Sequence, residues 1–99
     1  MNNRPKKILI VDDEHLNREL LKVILEYEGY VIKSVNSGEE ALKSVAQDPP
    51  DLILLDIMMP GLNGNKVAEK LKNNRATLSI PIIMVTSIGN HDAKLTALK

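Results

Sequence analysis

Two runs of four apolar residues, Ile8-Leu9-Ile10-Val11 and Leu52-Ile53-Leu54-Leu55, contain no polar side chain, and each stops at an aspartate. A strand with one wet face alternates apolar and polar residues, so an unbroken run this short predicts a strand covered on both faces, as in a parallel sheet. The charge that ends each run then falls at the carboxyl rim of the sheet. In open α/β sheets that rim is where ligands bind, which directs attention to Asp12, Asp13 and Asp56 before anything else in the chain.

The intervening segments read as helices. Leu16, Leu20, Val23, Ile24 and Tyr27 recur at helical spacing, with Asn17, Arg18, Lys22, Glu26 and Glu28 between them, and Gly29 supplies a C-terminal stop. Residues 31–35 make a shorter, more polar strand in which Lys33 suits a sheet edge. Ser37, with Glu40 three residues on, forms a capping box ahead of Ala41, Leu42, Val45 and Ala46, a helix ending near residue 47. Asn63 can cap a third helix carrying Val67, Ala68 and Leu71. Residues 80–85, with Pro81 near the start, predict a fourth buried strand ending at Thr86-Ser87, and Gly89-Asn90 opens a last helical stretch. Four strands alternating with helices over short connections predict an α/β fold, an open parallel sheet with right-handed crossovers and helices on both faces.

With 99 residues the chain is expected to be a single domain spanning 1–99, with one core and one site. Thirteen basic and thirteen acidic side chains cancel, so no global field favours nucleic acid or an anionic membrane. There is no cysteine, which removes thiol chemistry and agrees with a reducing compartment. No apolar run approaches the roughly 20 residues of a membrane span, and the basic N-terminus is not followed by a signal-peptide core. The expectation is a soluble, cytoplasmic protein.

Parallel strands place their carboxyl ends on one side, so Asp12, Asp13, Asp56 and Thr86 are expected to converge although distant in sequence. Carboxylates held together either raise one another's pKa or share a cation. Oxygen-only donors suit Mg²⁺, or Mn²⁺, better than zinc. The plainer alternative is a solvated acidic loop that caps the first helix; the addition of Asp56 and Thr86 at other strand ends weighs against it. His15 and His91 are each read as surface residues, and the pair Met58-Met59 as packing and loop anchoring.

The residues Val11-Asp12-Asp13-Glu14, then Asp56-Ile57-Met58-Met59-Pro60-Gly61, then Val85-Thr86-Ser87, in this order and spacing, resemble the receiver domains of two-component response regulators, from about residue 6 to the end. The resemblance implies a flavodoxin-like sheet of strand order 2-1-3-4, with the family's fifth strand and fifth helix missing from this sequence. It implies that Asp56 accepts a phosphoryl group from a sensor histidine kinase, a phosphotransfer protein or a small-molecule donor, and that Asp12, Asp13, Asp56 and the Met58 backbone carbonyl hold Mg²⁺. Thr86 matches the switch hydroxyl, which biases the surface around the fourth helix toward a downstream output domain or target. Such a module is a stoichiometric phosphoacceptor and not an enzyme.

Against the family pattern, Lys94 and Lys99 do not match the lysine of the fifth strand, so phosphorylation is expected to be slow or its product short-lived. Residues 80–85 are expected to form an exposed hydrophobic edge through which the chain self-associates. The competing reading is a fragment or pseudo-receiver that acts only as an interaction module. A phosphatase of the haloacid dehalogenase type also uses an aspartyl phosphate, but it requires an Asp-x-Asp, and Met58 occupies the second position.

Overall fold

The computed structural model describes residues 4–85. Thr86, His91, Lys94, Lys99 and the last helical stretch expected from the sequence lie outside the described residues. The elements follow in the order β1 (Lys7–Val11), α1 (His15–Tyr27), β2 (Val31–Val35), α2 (Gly38–Gln47), β3 (Leu52–Asp56), α3 (Gly64–Lys72) and β4 (Ile82–Val85). All strand pairs are parallel, in the order β2-β1-β3-β4. The two unbroken apolar runs thus occupy the two central strands, where both faces are covered.

Successive side chains of a strand point to opposite faces. Leu9, Val11, Ile53 and Leu55 join Ala41, Val45, Val67 and Leu71 in one buried cluster beneath α2 and α3. Ile8 and Ile10, also buried but outside that cluster, face the other side, where α1 lies over β1 and β2. The starts of α2 and α3 are closed by the side chains that the sequence offers as caps. The Ser37 hydroxyl accepts from the Glu40 amide at 3.2 Å, and Asn63 Oδ1 accepts from the Lys66 amide at 3.0 Å. At the C-terminus of α1, Gly29 takes φ +97°, and the amides of Gly29 and Tyr30 donate to the carbonyls of Glu26 and Leu25, the two bonds of a Schellman motif. The far end of the sheet is tied by Lys7. Its backbone amide donates to Asp51 Oδ2 at 2.7 Å and its ammonium pairs with Asp48, and these contacts hold both carboxyls below their ordinary range.

Two expectations need correction. The fourth strand begins at Ile82, because Ile80 is folded into a preceding turn, its amide donating to the Thr77 carbonyl at 3.0 Å. Pro81 then offers its carbonyl to the Ile53 amide at the mouth of the strand. The helical repeat read in α1 is also not the face seated on the sheet. Leu16, Leu20, Val23, Ile24 and Tyr27 are all exposed, Leu16 and Tyr27 by 80% and 89%. The half-buried side chains of α1 are instead Asn17, Arg18, Leu21, Lys22 and Leu25. Periodicity shows that a helix has an apolar stripe, and α1 has apolar residues on two sides, of which only the Leu21–Leu25 side meets β1 and β2.

Candidate functional site

The register of the sheet builds the site. Val11 pairs with Leu55, so the residues that follow them, Asp12 and Asp56, emerge side by side from the two central strands. Both are buried, at 1% and 0% exposure, and Asp13 is half-buried beside them. One carboxylate oxygen from each of Asp12, Asp13 and Asp56 lies within 4.8 Å of the others. If all three were ionised, each pair would repel by about 3 kcal/mol at an effective dielectric of about 20.

Backbone contacts fix the arrangement. Asp12 donates its amide to the Val35 carbonyl at 3.2 Å, and its Oδ1 accepts from the Glu14 amide at 2.9 Å. Arg18 Nη1 donates to the Asp12 carbonyl oxygen at 2.8 Å. Asp56 Oδ1 accepts from the Met58 amide at 3.1 Å, which folds the loop after β3 back over the carboxylate. That loop is anchored by Met59, buried in the core, and turned at Gly61, where φ is +71°. Its far end is held against β3 by Gly64, whose amide donates to the Ile57 carbonyl at 3.2 Å. A Cβ at Gly64 would stand 2.2 Å from the Asp56 carbonyl oxygen, so the start of α3 approaches the strand end as closely as only glycine allows. An open cleft of about 500 Å³ beside the carboxylates is lined by Asp13, Met58, Pro60, Asn63 and Asn65 among others.

Of the residues singled out from sequence, Asp12, Asp13 and Asp56 come together, and Met58 sits at the mouth of the cleft, 38% exposed. The pairing of Asp56 with Val85 directs the end of β4 to the same rim, while Thr86 itself lies outside the described residues. His15 is exposed and 3.4 Å from Arg18 Nη2, a neighbour of the cluster and not a member of it. Two further residues build the site. Helical spacing places Arg18 among the polar residues that fall between the apolar positions of the first helix. Its place in the first turns, with helix side chains leaning toward the N-terminus, is the signal that would have pointed it back at the strand end. Gly64 reads from sequence as a turn residue of the loop, with Pro60 and Gly61; its close contact is not legible there because the approach of a helix to a strand end has no local sequence signature.

A parallel α/β sheet with buried carboxylates on adjacent central strand ends defines a class of rim-site proteins whose donors are all oxygen. The family is given by comparison. Residues 8–99 match the response regulator receiver domain, and the chain belongs to that family. It is 44% identical over 94 residues to the phosphate regulon transcriptional regulatory protein PhoB of Pseudomonas aeruginosa, covering 95% of this chain and 41% of that protein. It is 39% identical over 93 residues to the response regulator PleD of Caulobacter vibrioides, covering 94% of this chain and 20% of that protein. Among solved structures, the N-terminal domain of a response regulator receiver protein from Methanoculleus marisnigri JR1 superposes with a TM-score of 0.81 at 36% identity, over 93% of this chain and 75% of that one. The chain therefore spans well under half the length of these two curated relatives. Receiver domains are signalling modules of two-component systems, which pair histidine kinases with output domains. Among the described residues no helix is long and apolar enough to cross a membrane.

Proposed function

We propose that residues 1–99 act as a single receiver unit in which Asp56 is the phosphoacceptor. The observation that carries this reading is the convergence of Asp12, Asp13 and Asp56, whose oxygens lie within 4.8 Å of one another at the rim of the sheet. The donor set fits a hard divalent cation, Mg²⁺ or Mn²⁺: it is all oxygen, anionic and pre-gathered, and its mutual repulsion is relieved by a shared positive ion. Asp12, Asp13, Asp56 and the Met58 backbone carbonyl would hold it. When bound, Mg²⁺ supplies positive charge that neutralises the phosphoryl oxygens during transfer.

The chain's own residues do the rest. An Asp56 carboxylate oxygen forms the new O–P bond as the donor's P–N bond (from a phosphohistidine) or P–O bond (from an acyl phosphate) breaks. The bonding electrons leave with the donor's imidazole or carboxylate. The Met58 amide, 3.1 Å from Asp56 Oδ1, fixes the orientation of the carboxylate. Burial of Asp56 limits the access of water to it. Thr86 is the switch hydroxyl that follows the new phosphoryl group and biases the surface toward an output domain or target protein. The module is cytoplasmic, contacts neither nucleic acid nor membrane, and is stoichiometric instead of catalytic. Incubation with acetyl phosphate and Mg²⁺, followed by peptide mass spectrometry, should find one phosphoryl group at Asp56 and none in Asp56→Asn. A folded chain that stays unmodified would instead favour an interaction module without efficient phosphorylation.

The edge position of β4 motivates a second expectation. Among the described residues this strand has β3 as its one neighbour, and Ile83 is half exposed on it. A second copy can add its own edge there by main-chain hydrogen bonding. Sedimentation should show concentration-dependent dimers; a compact monomer at high concentration would end this idea.

A further inference from the structure

Asp12 lies one residue beyond the end of β1, so its carbonyl is past the regular ladder of the sheet. Arg18 reaches it. The residue sits in the opening turns of α1, its amide donating to the Glu14 carbonyl at 3.1 Å, and its half-buried side chain runs back toward the strand end. There Nη1 donates to the Asp12 carbonyl oxygen at 2.8 Å, while Nη2 lies 3.4 Å from His15 Nδ1, so both arms of the guanidinium fork are engaged. The carbonyl it holds belongs to the peptide that joins Asp12 to Asp13. With the Asp12 amide on Val35 and the Asp12 side chain on the Glu14 amide, this contact holds the peptide from which Asp13 leaves the strand.

We infer that Arg18 is a positioning residue for the cation site: by pinning the Asp12–Asp13 peptide it aims the Asp13 carboxylate into the cluster with Asp12 and Asp56. The inference rests on the reading of that cluster as a divalent-cation site. The planar fork suits the task, since it binds a fixed oxygen while its second arm braces against α1, and a lysine ammonium offers a single flexible point of contact instead. Groups that orient metal ligands from behind typically cost about 10–100-fold in affinity when removed.

The test is Mn²⁺ affinity, measured by electron paramagnetic resonance on the intact chain far below its melting temperature, together with melting in EDTA and the Asp13 amide resonance. Arg18→Met keeps the apolar stem and removes the donor. It should weaken Mn²⁺ binding by at least about 10-fold and shift the Asp13 amide, with melting in EDTA little changed. Arg18→Lys should fall between parent and Arg18→Met. Affinity of Arg18→Met within about twofold of the parent, where Asp13→Asn has lost binding, would overturn the role of Arg18 and leave the cation site standing. Equal Mn²⁺ binding by parent and Asp13→Asn would remove the cation site and this inference together. If Arg18→Met does not fold, Arg18→Lys decides: several-fold weaker binding supports the role, and parental affinity rejects it.

Discussion

Gly64→Ala should be among the most damaging single-methyl changes in this chain. The added Cβ would stand 2.2 Å from the Asp56 carbonyl oxygen and 2.9 Å from both the Asp56 carbonyl carbon and Ile57 Cα, all main-chain atoms. A side chain in that position could rotate away, but here the start of α3 must separate from the end of β3. Overpacking a core costs about 1–3 kcal/mol, and a backbone obstacle belongs at or above the upper end of that range. For a domain of this size a loss of about 3 kcal/mol lowers the melting temperature by roughly 12 °C or more. Two other glycines give an internal scale. At Gly38 a Cβ would meet the Leu62 carbonyl oxygen at 2.6 Å and Val67 Cγ2 at 2.7 Å, so Gly38→Ala should rank second. At Gly61 the space is open but φ is +71°, so the cost is the left-handed strain of about 1–2 kcal/mol alone. Thermal melts of the three variants test the order, and a Gly64→Ala protein melting within about 2 °C of the parent would refute the close approach.

Divalent cation should stabilise the chain by a margin visible in the simplest melt. A ligand at a hundred times its dissociation constant adds about 2.7 kcal/mol to a folded state that alone binds it. For a domain this small that is about 10–20 °C. The increment should vanish in Asp13→Asn. In EDTA the same variant should melt no lower than the parent, because it removes one of three mutually repelling carboxylates. Stabilised by metal and destabilised by its own ligands without it, the parent should cross the variant as Mg²⁺ is added. Parallel Mg²⁺ increments in the two proteins would show that the ion acts elsewhere.

Much of this architecture was legible because its signals are local. The runs 8–11 and 52–55 identified the central strands, Ser37 and Asn63 opened their helices as capping residues do, and the aspartates after each central run marked the rim. The strand order came through resemblance, and the sheet bears it out for the four strands described. What escaped was relational. Which stripe of α1 faces the sheet depends on how the helix is seated, and two apolar stripes leave that undecided in the sequence. Ile80 and Pro81 look like strand residues until the Thr77 turn ahead of them is seen, its hydroxyl reaching the Leu71 carbonyl at 2.6 Å. Arg18 and Gly64 act on groups six and eight residues away across a change of element; the place of Arg18 in the first turns of its helix hints at its target, whereas the close approach of Gly64 has no local signature.

The pairing of Val11 with Leu55 has a consequence for engineering. Neighbouring strands lie about 4.8 Å apart, so two aspartates placed one step past a matched pair inherit a separation suited to sharing one ion, whatever loops follow. The hydrogen-bond ladder sets the separation, and the amides of Glu14 and Met58 in the connecting segments set the orientation of the carboxylates. The same two substitutions, made at adjacent strand ends of another parallel sheet in this register, would transplant the spacing, while the orientation would need the loop amides as well. A shift of one residue in either strand would abolish that spacing.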